Sequence, residues 1–157
     1  MKIQCWSVGK NHEAYIKQGV DDFTKRISRY HSVSWEILPV PKNAGMLSEI
    51  DLRKQESKLI LDWLGKEDYL VALDEKGKEM SSVQLSSFLQ SRLNESVKKI
   101  VFLIGGVYGI DDNVLKRANY VWSLSKLTFP HQLVRLILAE QLYRACTIGR
   151  NEKYHHS

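Results

Sequence analysis

A chain of 157 residues, 43% of them hydrophobic, is sized for one compact domain with a real core. A formal charge of +5 leans toward an anionic partner, without the dense basic runs of a nucleic-acid-binding arm. The N-terminal apolar run is too short for a secretory signal, and no window approaches the roughly 18 apolar residues of a membrane span. Cys5 and Cys146 lie far apart with no metal-ligand spacing. The expectation is a cytoplasmic, membrane-free, metal-free protein with two buried thiols.

Ile3, Cys5, Trp6 and Val8 read as a first strand closed by Gly9-Lys10. Tyr15, Ile16, Gly19, Val20, Phe23 and Ile27 then recur at helical spacing, with Lys17, Asp21, Lys25 and Arg26 on the wet side. Val33, Trp35, Ile37 and Leu38 form a second strand stopped by Pro39 and Pro41, and the segment from Pro41 to Met46 is a loop by its turn chemistry. Ser48 is placed to cap a helix carrying Leu52, Glu56, Leu59, Ile60, Trp63 and Leu64, closed by Gly65.

Tyr69 to Asp74 is a continuous apolar run ending in an acid, as suits a strand buried on both faces. Gly77 falls in the expected loop after it, and Ser81 or Ser82 opens a third helix with Val83, Leu85, Phe88, Leu89 and Leu93. Lys99 to Ile104 is the clearest strand and runs into Gly105-Gly106. A short helix with Val114, Leu115 and Ala118 leads to a last strand, Tyr120 to Trp122. The polar loop from Ser123 to Phe129 then enters an apolar helix through Pro130, with Thr128 available as its cap. That helix is apolar around most of its circumference, so it must be covered on more than one side.

Strands alternating with helices imply crossovers and a mostly parallel sheet of about five strands with helices on both faces. No repeat, low-complexity run or linker breaks the chain, so residues 1–157 are expected to form a single α/β domain. In such sheets ligands lie beyond the carboxyl ends of the strands. Three of those ends carry unusual residues: Leu73-Asp74, the run Gly105-Gly106-Val107-Tyr108-Gly109, and the loop from Ser123 to Phe129.

Neither the dinucleotide fingerprint nor a P-loop occurs, and no serine lies in a Gly-x-Ser-x-Gly elbow. Glycines after a buried strand let the backbone approach a ligand and supply positive φ where the chain turns. In the last loop, backbone groups are suited to reading a planar base edge between Leu124, Leu127 and Phe129, although the apolar residues serve core packing equally well. Arg135 and Arg144 interrupt the apolar helix, where a guanidinium without an anion is costly. The tail from Arg150 to Ser157 is of the kind that frays, yet its Tyr154-His155 pair beside cations is suited to stacking on a base and hydrogen-bonding it.

Ile104-Gly105-Gly106, the run from Trp122 to Arg135, the block from Glu140 to Ala145 and the pair Tyr154-His155 together resemble the RlmH family of SPOUT-class RNA methyltransferases. The resemblance covers nearly the whole chain and is most specific in the C-terminal blocks. It implies S-adenosylmethionine as methyl donor and N3 of a pseudouridine in helix 69 of 23S rRNA as acceptor, on the assembled ribosome. It also implies a homodimer and a C-terminal trefoil knot with the last helix threaded through a loop, a topology that general rules count as very rare. The implied cofactor residues are Leu73, Gly105, Leu124, Ser125, Lys126, Leu127, Thr128 and Phe129.

For catalysis, Tyr154 and His155 are expected to position the base, reaching the other subunit's cofactor. Arg135 and Arg144 are expected to hold phosphate or stabilise the developing anion. The rival reading, a non-enzymatic RNA-binding homodimer, explains the charge and the tail but leaves the glycine turn and polar loop without a ligand. A nucleotide-dependent enzyme of flavodoxin-like shape explains the sheet but not the missing phosphate cradle.

Overall fold

The computed structural model describes residues 1–156. Five extended segments, β1 (Lys2–Val8), β2 (Ser32–Leu38), β3 (Tyr69–Glu79), β4 (Lys99–Ile104) and β5 (Tyr120–Ser123), pair into one sheet of order β2-β1-β4-β3-β5, every pair parallel. Five helices connect and cover them: α1 (Ala14–Ile27), α2 (Glu49–Trp63), α3 (Ser82–Asn94), α4 (Asp112–Arg117) and α5 (His131–Gly149). The expected α/β architecture with five parallel strands and helices on both faces is the one observed.

The side-chain period of two along each strand sorts the core into two layers. Ile3 and Cys5 of β1, Val71 of β3, Ile100, Phe102 and Ile104 of β4 and Trp122 of β5 face α1, α3 and α5, meeting Ile27, Leu85, Leu89, Leu138, Leu142 and Ala145. Trp6, Val8, Leu70, Ala72, Val101 and Leu103 point the other way, onto Ile60 of α2 and Val114 of α4. Central strands covered on both sides need no polar face, which is why β4 reads as an unbroken apolar run. Each fully buried aliphatic side chain contributes about 1.5–3 kcal/mol.

Ser48 caps α2 by accepting from the Asp51 amide, and Ser81, of the two serines available, forms a reciprocal capping box with Gln84. Two local expectations, Thr128 as a cap and Gly77 as a loop residue, need correction. Thr128 does not cap α5: Pro130 occupies the N-cap position, and no side chain caps that end. Proline can stand there because the missing N–H is one that a helix start leaves unbonded anyway.

Gly77 lies within β3, not in a loop. The strand shifts register between Leu73 and Lys78 and continues beside β5, and a Cβ at Gly77 would fall 2.6 Å from the carbonyl carbon and oxygen of Val121. Gly65 follows an extended Leu64, and its amide donates to Asp68 Oδ2 at 2.7 Å, so a carboxylate holds the chain end of α2 in place of a left-handed cap. Within the expected loop at residues 41–46, Ala44–Met46 forms a short 3-10 turn.

Candidate active site

The carboxyl ends of β3, β4 and β5 and the start of α5 enclose a cavity of about 520 Å³, within the usual size of a small-molecule site. Of the eight residues expected to hold a cofactor, Leu73, Gly105, Leu124, Ser125, Leu127, Thr128 and Phe129 line it. Lys126 belongs to the same loop but is exposed and does not line the cavity.

The glycine turn is built for closeness. A Cβ at Gly105 would sit 2.6 Å from Ile110 Cγ1 and 3.0 Å from the Gly109 carbonyl carbon. One at Gly106 would meet both carboxylate oxygens of Glu56 at 2.7 Å. Positive φ occurs at neither; it is Gly109, at φ +83°, that turns the chain back, its amide donating to the Gly106 carbonyl at 3.0 Å. The opposite wall fixes itself internally: Ser123 Oγ donates to the Ser125 carbonyl at 3.0 Å, and the Leu127 amide donates to Ser125 Oγ at 3.0 Å. A loop tied by its own hydroxyls presents its main-chain groups in set directions.

Asp74, Glu75 and Asp112 bring three carboxylates to the lining, against the two cations Arg53 and Lys76. His131, the first residue of α5, also faces the cavity; burial, then the nearby Arg135 charge, lowers its pKa from 6.5, so it is neutral at physiological pH. The balance favours a ligand carrying positive charge.

Tyr154, His155 and Arg144 form a separate cluster at the far end of α5, outside the lining of this cavity. The tail there is fastened rather than frayed. Glu140 Oε1 accepts from Arg144 Nε at 2.9 Å and from the Tyr154 hydroxyl at 3.1 Å. The Arg144 guanidinium lies 4.7 Å from the Tyr154 ring centre, and Tyr143 packs edge-on to the same ring at 4.7 Å. Burial first, then the Glu140 charge, raises the Tyr154 pKa, so its hydroxyl keeps its proton. Arg144 Nη1 stands 3.2 Å from His155 Nδ1. Because arginine only donates, that contact assigns Nδ1 as acceptor and leaves the proton on Nε2.

Arg135 is elsewhere. Only 1% of it is exposed; Nε donates to Ser7 Oγ at 2.8 Å, and Nη1 meets His12 Nδ1 at 3.2 Å. Its expected contact with a phosphate or with a developing anion does not agree with this placement, since the guanidinium is enclosed and fastens α5 to the end of β1 and the following loop. The guanidinium also helps keep His12 neutral, whose pKa is lowered first by burial and then by Arg135. Both cysteines are buried, and burial raises the Cys146 thiol to about 12.

Glu140 and Arg53 are not among the site residues expected from the sequence. Glu140 stands four residues before Arg144, the helical spacing of an ion pair, so a signal existed. Arg53 looks like any wet-face arginine of a surface helix, and nothing in the sequence marks it.

The family model described as "Predicted SPOUT methyltransferase" matches residues 1–155. The chain belongs to the SPOUT methyltransferase family. The ribosomal RNA large subunit methyltransferase H of Cytophaga hutchinsonii is 48% identical over 156 residues, 99% of this chain and 100% of that protein. The proteins of the same description from Parabacteroides distasonis and Flavobacterium johnsoniae are 44% and 46% identical, each match covering 99% of both chains. Among solved structures, a probable methyltransferase from Bordetella pertussis Tohama I superposes with a TM-score of 0.56, covering 92% of this chain and 94% of that one. At 9% identity that likeness speaks for the fold alone. No helix of the described residues is long and apolar enough to cross a membrane.

Proposed function

We propose that this SPOUT-family chain methylates N3 of a pseudouridine in helix 69 of 23S rRNA on the assembled ribosome. S-adenosylmethionine is the donor, and the working form is a cytoplasmic homodimer with α5 threaded through a C-terminal trefoil knot. The observation that carries the reading is the cavity between the glycine turn and the self-tied loop, lined by seven of the eight residues the resemblance assigns to the cofactor. The names of relatives 44–48% identical to this chain support ribosomal RNA of the large subunit as the substrate class.

The lining fits the donor on physical grounds. The glycine turn is packed too closely for a side chain, so backbone forms that wall of the cavity, and the excess of carboxylates suits a cationic ligand. Bound there, S-adenosylmethionine supplies an electrophilic methyl group on a sulfonium. What the chain supplies is orientation, which is capable of removing about 7 kcal/mol or more of barrier, and management of the N3 proton.

The Tyr154 hydroxyl spends its hydrogen on Glu140, so its free lone pair is the side offered to the base. His155, accepting from Arg144 at Nδ1, offers its Nε2–H as a donor to a carbonyl oxygen of the base. Arg144 holds both and places positive charge where the base becomes anionic. Arg135 keeps a positioning role through α5.

The Tyr154 cluster lies outside its own chain's cavity, which supports a site completed by the tail of a second copy. Leu133 and Ile137, only half-buried on α5, and the exposed Leu127 and Val107 at the cavity give such a copy apolar surface to cover. The deciding experiment is methyl transfer from labelled S-adenosylmethionine to ribosomes lacking the modification, followed by digestion and mass spectrometry of the nucleosides. N3-methylpseudouridine is the expected product. Ribosome binding with no cofactor binding would return the non-enzymatic RNA-binding dimer to first place.

A further inference from the structure

Neither cation of the lining forms an ion pair among the described residues, but only Arg53 is partly withdrawn from solvent. Arg53 projects from the first half of α2 and lines the cavity, while its Nε is shut off from solvent with no hydrogen-bond acceptor. It takes part in none of the ion pairs among the described residues. Glu56, one turn further along α2, turns its carboxylate to Gly106 instead. The other cation of the lining, Lys76, is exposed and stays solvated.

The two terminal nitrogens of Arg53, which are not closed off as Nε is, take part in no hydrogen bond or ion pair among the described residues, so the end of the guanidinium is left open to an anion in the cavity. The guanidinium fork matches a carboxylate in particular. The position is also right for one end of an elongated ligand. α2 packs on the sheet face opposite α5, so Arg53 reaches the cavity from the side away from α5, whose first turn the self-tied loop enters.

We propose that Arg53 is the cofactor-binding residue that receives the α-carboxylate of the donor's amino-acid moiety, a role that rests on the S-adenosylmethionine reading above. The main-chain walls of the loop then take the adenosine, and the guanidinium fixes the opposite end, setting how far the reactive sulfur lies from the glycine turn. The donor is held at both ends, and an analogue lacking the carboxylate loses only the Arg53 contact.

The test is calorimetric titration of the full-length protein with S-adenosylhomocysteine and with its decarboxylated analogue, which keeps the adenosine, thioether and amine. Wild type should prefer the carboxylate-bearing ligand by about tenfold, the scale of a charge-assisted fork. Arg53→Met, which keeps the stem volume, should lose that preference and bind the decarboxylated analogue as wild type does. Arg53→Lys should recover part of it through charge without the fork.

Equal weakening of both ligands in Arg53→Met would show a merely structural side chain and overturn the proposal. Unchanged binding of both ligands with a raised KM for ribosomes would assign the guanidinium to an RNA phosphate and overturn it too. Wild-type protein that binds neither ligand would refute the donor assignment itself, an outcome distinct from the other two.

Discussion

Glu140→Ala is the perturbation that isolates the tethered tail. Glu140 accepts from Arg144 Nε at 2.9 Å, from the Tyr154 hydroxyl at 3.1 Å and from Gln141 Nε2 at 2.8 Å. Hydrogen bonds to a charged group contribute about 1.5–3 kcal/mol each, and with side chains still 25% and 21% exposed the Arg144–Glu140 pair belongs at the low end. Releasing Tyr154 alone therefore costs about 1.5 kcal/mol of its orientation, near a factor of ten in the population of the working geometry. His155 is steadied by the same Arg144, so its loosening extends the expected fall in kcat to about 10–100-fold.

Glu140 does not line the cavity, so the cofactor Kd should stay within about twofold. The assay is single-turnover methylation of unmodified ribosomes at saturating donor, alongside calorimetric cofactor binding. Tyr154→Phe removes the same bond from its other end, so the double variant should be slower than either single one by clearly less than the product of their effects. A folded Glu140→Ala protein with wild-type turnover, or two effects that simply add, would refute the tether.

Two further outcomes follow from packing and titration. Gly105→Ala puts a methyl group 2.6 Å from Ile110 Cγ1 and against the Gly109 carbonyl, so the turn must shift; a stability loss of about 1–3 kcal/mol and a cofactor Kd weakened about tenfold or more are expected by thermal melting and calorimetry, and unchanged affinity would refute the cradle.

His12, His31 and His131 all have pKa values lowered from 6.5, burial being the first cause in each. Below 6.5 the unfolded chain therefore binds more protons than the folded one, so their contribution is present above that pH and is lost as pH falls. Tm should drop between about pH 7 and pH 5, with His12→Asn flattening the slope. Burial raises the Glu56 pKa, which works in the opposite direction as pH falls through its folded value, so Glu56→Gln should steepen the loss.

Much of this molecule was written in local pattern. The unbroken apolar run of β4, the helical spacing in α1 and the serine caps are local signals, and each fixes an element without knowledge of its neighbours. Strand-helix alternation carried the parallel sheet, and the quoted C-terminal blocks carried the family likeness, including the loop that walls the cavity.

What lay outside local pattern was everything set by approach between distant segments. Gly77 reads as a loop residue until β5 arrives beside it, and Thr128 reads as a cap until α5 begins two residues beyond Phe129. Arg135 and Arg144 are alike in sequence, two arginines in one apolar helix. Only packing separates them, enclosing one against Ser7 and His12 and joining the other to Glu140, His155 and Tyr154. Arg53 is the extreme case, because an unpaired N–H is a property of the space around a side chain, and that space is built by β3, β4, β5 and α4. Periodicity records which face of an element is dry; which partner waits there is decided by the three-dimensional meeting of residues far apart in the chain.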